Sequence, residues 1–102
     1  MTPPWTRLAD VADCPPGTCL EAIAGERVVA LFNVAGQFYA LDGVCPHQGG
    51  PLGQGALKGQ TVTCPWHGWQ FDVRNGQCRL SPSVVQPTIP VRIEQGVVYV
   101  QV

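Results

Sequence analysis

The chain has 102 residues, enough for one core of ordinary domain size. Charged residues make up 13%, about half the ~25% usual in soluble domains, and the formal net charge is -1, which excludes a nucleic-acid binder held by phosphate neutralisation. The longest apolar runs, such as Val28 to Phe32, fall far short of the ~20 residues of a spanning helix, so no membrane partner is expected; the segment Met1 to Arg7 lacks the build of a secretory signal, which points to the cytoplasm.

Twelve Gly and ten Pro suit short strands joined by many turns, and apolar residues recur at period 2 rather than 3.6. The pattern predicts an all-β chain of roughly eight strands. In chain order they are expected at Cys19 to Ile23, Arg27 to Phe32, Gln37 to Leu41, Gln60 to Thr63, Trp69 to Val73, Gln77 to Leu80, Val91 to Glu94 and Val97 to Val102. Asn33 to Gly36 and Gln95-Gly96 are read as hairpin turns, and Arg74-Asn75-Gly76 as a third, with Asn75-Gly76 suited to a type I′ turn.

The middle differs in texture. Gly43, Gly49, Gly50, Gly53, Gly55 and Gly59 stand there with Pro46 and Pro51 and with few residues that could fill a core. Something besides hydrophobic packing must order this stretch, because irregular backbone without bonded partners cannot offset its ordering entropy. The same region holds the two histidines of the chain, each beside a cysteine: Cys45-Pro46-His47 and Cys64-Pro65-Trp66-His67. Two soft thiolates and two imidazoles, delivered in matched pairs by two loops, form a ligand set for zinc or iron. Five cysteines are an odd number, and in a reducing compartment metal or redox use fits them better than a disulfide framework.

The segments Cys45-Pro46-His47-Gln48-Gly49-Gly50 and Cys64-Pro65-Trp66-His67-Gly68-Trp69 closely resemble the two cluster-binding loops of Rieske-type [2Fe-2S] proteins. The likeness extends more weakly over the whole chain. It implies one domain over residues 1–102, with a Rieske-like antiparallel β-sandwich or barrel base and an inserted, loop-rich cluster-binding subdomain at approximately 43–85. It also implies one cluster per chain, with Cys45 and Cys64 on one iron and His47 and His67 on the other. Two ferric ions, two sulfides, two thiolates and two neutral imidazoles cancel in charge, whereas four thiolates would leave a dianion. Adding an electron is easier from neutral, so Rieske clusters lie roughly between −150 and +300 mV, against about −400 mV for plant-type clusters.

Within that range the high-potential members carry hydroxyl donors where this chain has Trp69 and Phe71, and a loop-bridging disulfide where it has Gly50 and Trp66. The resemblance therefore implies a low-potential one-electron carrier, as in soluble Rieske-type ferredoxins, passing electrons from a reductase to an oxygenase through the exposed edges of His47 and His67. It implies no catalysis by the chain itself. One alternative is the small subunit of an assimilatory nitrite reductase, working with a large flavin or sirohaem partner; a more distant one is a structural zinc adaptor using the same four residues.

Around the loops, Gly49, Gly50 and Gly68 are expected to allow tight turns and close approach to the cluster. Trp66 and Trp69 flank His67, where their rings are expected to exclude water from the cluster, with Trp69 packing between loop and sheet. Pro82 falls where the family places a third loop that covers the cluster. Cys14 and Cys19 are read as structural rather than as a reactive dithiol, and Cys78 as a core residue. Asp42 and Asp72 are read as solvated turn carboxylates.

Overall fold

The computed structural model describes residues 4–46, 49–66 and 68–102. Its described residues form ten strands: β1 (Trp5–Asp10), β2 (Cys19–Ala24), β3 (Arg27–Val34), β4 (Gln37–Asp42), β5 (Ala56–Lys58), β6 (Thr61–Thr63), β7 (Gln70–Asp72), β8 (Thr88–Ile89), β9 (Val91–Glu94) and β10 (Val97–Gln101). One-turn 3-10 helices occupy Val11–Asp13 and Leu52–Gln54. The strands make three antiparallel sheets, in the orders β1-β10-β9, β2-β3-β4-β8 and β5-β6-β7.

The apolar run in β3 sets the arrangement. Val29 and Leu31 enter a core shared with Leu8, Ile89, Val98 and Val100 from the other base strands. Ala30 and Phe32, on the opposite face, enter a second core with Leu52, Val62, Phe71, Cys45 and Cys64. All four β3 residues are fully buried. A half-buried strand would alternate apolar and polar residues; one covered on both faces reads as a continuous apolar run. The four-stranded sheet is thus the middle layer, with the β1-β10-β9 sheet on one side and the loops and small β5-β6-β7 sheet on the other.

The C-terminal hairpin forms as expected, with Gln95 and Gly96 both at positive φ (50° and 78°), as a two-residue primed turn demands. The turn between β3 and β4 is tighter than expected. Asn33 and Val34 extend β3, leaving Ala35 and Gly36 at φ 51° and 93°, and the buried Asn33 side chain ties the turn by accepting from Gly36 N–H (2.7 Å) and donating to the Cys14 carbonyl (2.8 Å).

Two expectations are corrected. Gln77 to Leu80 is not a strand: Cys78 bridges to Phe71 and Gln77 to Val85, while Cys78 N–H donates to Val84 (3.0 Å) and Arg79 N–H to Gln70 (2.8 Å). The segment is shared between two neighbours and cannot complete a ladder with either. The Arg74–Gly76 turn is present, closed by Gly76 N–H to the Asp72 carbonyl (2.8 Å), but Asn75 keeps a negative φ, so the turn is not type I′. Beyond the expected strands lie β1, β5 and the two-residue β8.

Candidate metal centre

Both candidate loops start with their cysteine and are closed by backbone bonds. In the first, which leaves β4 at Asp42, Cys45 N–H donates to the Gly50 carbonyl (2.9 Å) and the Cys45 carbonyl accepts from Gly49 N–H (3.0 Å). In the second, between β6 and β7, Cys64 N–H donates to the Trp69 carbonyl (2.7 Å). Such tight closures need left-handed residues, supplied by Gly49 (φ 73°) and Gly68 (φ 72°). Gly50 serves differently. A Cβ there would lie 2.7 Å from Cys64 Sγ and 2.9 Å from Trp66 Cβ, so a bare backbone at this point is what lets the two loops meet.

The two thiols sit in the second core, each 1% exposed, with Phe71, Val62 and Leu52 around them. His47 and His67, expected as the imidazole ligands, lie outside the described residues, as does Gln48. The described part fits a cluster: two sulfur donors in one water-poor core, and at Gly50 a side-chain-free wall against the Cys64 sulfur.

The profile of the Rieske [2Fe-2S] domain matches residues 4–95. The chain belongs to that family. It is 34% identical over 95 residues to the ferredoxin component of the naphthalene 1,2-dioxygenase/salicylate 5-hydroxylase systems of a Ralstonia species, covering 92% of this chain and 91% of that one. A ferredoxin chain solved in the complex of reduced oxygenase and oxidized ferredoxin in carbazole 1,9a-dioxygenase superposes with a TM-score of 0.85 at 33% identity, covering 95% of this chain and 92% of that one. A putative nitrite reductase NADPH small subunit shares the fold (TM-score 0.82, 97% of this chain and 99% of that one) at only 20% identity. This Rieske chain carries a [2Fe-2S] cluster and is an electron carrier, not a catalyst.

A third segment, from Arg79 to Pro87, is bonded to the residues around both loops. Its turn is closed by Val84 N–H to Ser81 (3.1 Å), and the Pro82 carbonyl accepts from the Gln77 side chain (3.0 Å). No motif marks Gln86, which is 2% exposed and whose Nε2 donates to the Asp42 carbonyl (2.6 Å) and the Val44 carbonyl (2.7 Å). Its own N–H donates to Gly76 (2.7 Å). One carboxamide thus satisfies two carbonyls at the start of the first Rieske loop and pins the third segment to it. Within Val84-Val85-Gln86-Pro87 no local signal marks it, because its partners lie more than forty residues away.

The remaining expectations divide. Asp42 does take a turn role, accepting from Val44 N–H (3.0 Å) and facing Arg27 at 3.4 Å. Asp72 does not stay solvated. It is 5% exposed and accepts from Arg74 N–H (2.9 Å), Nε (3.1 Å) and Nη2 (2.8 Å), with Arg79 Nη2 at 3.6 Å. The hydrogen bond from the Arg74 side chain holds its carboxyl below the usual carboxylate range, against the opposing effect of burial. Cys78 is a core residue beside Cys45 and Cys64, Trp69 packs against that core, and Trp66 stands half exposed. Cys14 is fully buried and burial pushes its thiol up; burial does the same to Cys19, whose Sγ lies 3.1 Å from the Gly55 carbonyl. Neither carries the lowered thiol pKa that a reactive dithiol needs.

Proposed function

We propose that this chain accepts single electrons from a reductase and delivers them to the oxygenase of a dioxygenase system, as a low-potential Rieske ferredoxin. The observation that carries the reading is the 34% identity to a dioxygenase ferredoxin component over nearly the whole of both chains, whereas the nitrite reductase small subunit, covered as fully, is only 20% identical and shares the fold alone. In this reading Cys45 and Cys64 hold one iron, His47 and His67 the other, and residues 43–85 act as the cluster-binding part of a single domain. Bound there, the cluster supplies a one-electron store that is neutral when oxidised.

The chain's own residues hold and insulate that store. The loop closures at Cys45 and Cys64 fix where the thiolates stand, Gly50 leaves room at the sulfur, and Phe71, fully buried in the same core, excludes water without offering a hydroxyl. The lack of a hydroxyl at Phe71 and Trp69 supports the low end of the potential range. Both histidines of the chain are assigned to the cluster, which leaves none for a second iron site, so substrate chemistry belongs to the partner. Thiols at Cys14, Cys19 and Cys78 that form no disulfide suit a reducing cytoplasm, and among the described residues no helix is long and apolar enough to cross a membrane.

The test is iron, sulfide and zinc analysis of anaerobically purified protein, with EPR before and after dithionite. Two irons and two sulfides with a Rieske-type reduced signal are expected. Zinc without colour would sink the reading.

A further inference from the structure

We infer that Val44, Trp66, Leu80 and Val85 form an uncharged apolar docking face around the cluster, and that it fits a redox partner whose own contact surface is apolar and uncharged. The inference rests on the electron-carrier reading above and deepens it by naming the chemistry of the contact. These four side chains are 47%, 49%, 60% and 55% exposed.

Their loops are tied to one another in all three pairings. Gly50 of the first loop lies against Cys64 and Trp66 of the second, Gln86 bonds the third segment to Asp42 and Val44 of the first, and Arg79 N–H bonds the third to Gln70 at the end of the second. Four large apolar side chains on one bonded assembly of loops differ from singly scattered ones, which need no explanation. The exposed apolar residues of the base are of that scattered kind. Trp5 is covered by the Arg92 guanidinium at 5.9 Å, and Ile23 and Ile93 stand on strands that also bear Glu21, Arg92 and Glu94.

Charge separates the two surfaces further. No Asp, Glu, Lys or Arg occurs from Gly43 to Leu57, from Gly59 to Phe71, or from Leu80 to Val91. The charged groups that border these stretches are few: Asp42 faces Arg27 at 3.4 Å, Lys58 stands on β5, and Arg74 and Arg79 share Asp72, which leaves one positive charge over, while Arg79 Nε also donates to Thr61 Oγ1 at 2.7 Å. A charged residue of a partner pressed against this face would lose its water and find no counter-charge, a cost that selects against charged counterfaces. An uncharged surface also gives no long-range steering, so encounter here is insensitive to salt. Trp66 is the anchor type, a large aromatic with little conformational entropy to lose.

A second copy of the holoprotein presents this same uncharged apolar surface, so electron self-exchange between oxidised and reduced copies, followed by NMR, probes it directly. The expected rate constant changes by less than about threefold from about 0.02 M to about 0.5 M NaCl. Leu80→Lys and Val85→Lys should slow exchange about tenfold at low salt through like-charge contact, with recovery as salt is added. Ile23→Lys, on the base, should leave the rate unchanged. A larger salt dependence in the parent protein, loop variants that exchange normally, or a base variant that slows equally would overturn the inference. A preparation lacking the cluster spectrum would instead overturn the carrier reading, and the spectrum is recorded first.

Discussion

The core between the two base sheets is filled by Leu8, Val29, Leu31, Ile89, Val98 and Val100, whereas the loops bearing Cys45 and Cys64 are held by backbone closures, by the Gln86 carboxamide and by a smaller share of apolar side chains. The first region needs nothing but its own packing. The second spends glycine where side chains would normally stand, so its order depends on polar bonds and, in the reading proposed above, on the cluster bound there. A chain can therefore keep its base while its redox centre is lost, and this difference can be broken from either side.

The largest effect is expected from Cys64→Ser, which removes a thiolate and should abolish the cluster. Hydrogen exchange should then accelerate in the segments around Cys45, Cys64 and Gln86 while β3 and β10 keep their protection; equal loss in both regions would mean that the base has no independent order. Leu31→Ala works from the other side. It should cost about 2–5 kcal/mol in denaturant unfolding while leaving the spectrum of the folded protein unchanged.

Gln86→Ala should cost about 1–3 kcal/mol, because the Asp42 and Val44 carbonyls lose their buried partner. It should also shift the reduction potential, a readout that Leu31→Ala leaves alone. The smallest effect concerns Asp72, whose arginine partners are exposed, so the ion pair contributes about 1 kcal/mol or less at neutral pH. Its carboxyl is held below the ordinary value in the folded state, so its contribution is complete above the usual carboxylate range and is lost as pH falls through the lowered value. Urea unfolding of the parent and Asp72→Asn proteins should therefore differ at pH 7 and converge in acid.

The sequence exposed what depends on neighbours in the chain. Gln95-Gly96 needs only two residues able to take positive φ, and the paired Cys and His spacing in the two loops is visible without any fold. What escaped notice depends on distant partners. In β1 the register slips between Arg7 and Ala9, so Leu8 and Ala9 are both buried and the period-2 signal is broken. The segment Gln77 to Leu80 has the composition of a strand, yet its bonds are claimed by Gln70 and Val84. Asp72 reads as a turn residue until Arg74 folds back over it, and Gln86 reads as nothing at all until the first loop is laid beside it.

Strand β3 has a consequence for descent as well as for folding. Because its alternate residues serve two different cores, inserting or deleting one residue within Val28 to Phe32 would exchange the occupants of both cores at once. Relatives should therefore show near-constant length through this strand. Gains and losses of residues should gather instead at the Ala35-Gly36 and Gln95-Gly96 turns, where a change of length leaves both cores as they were.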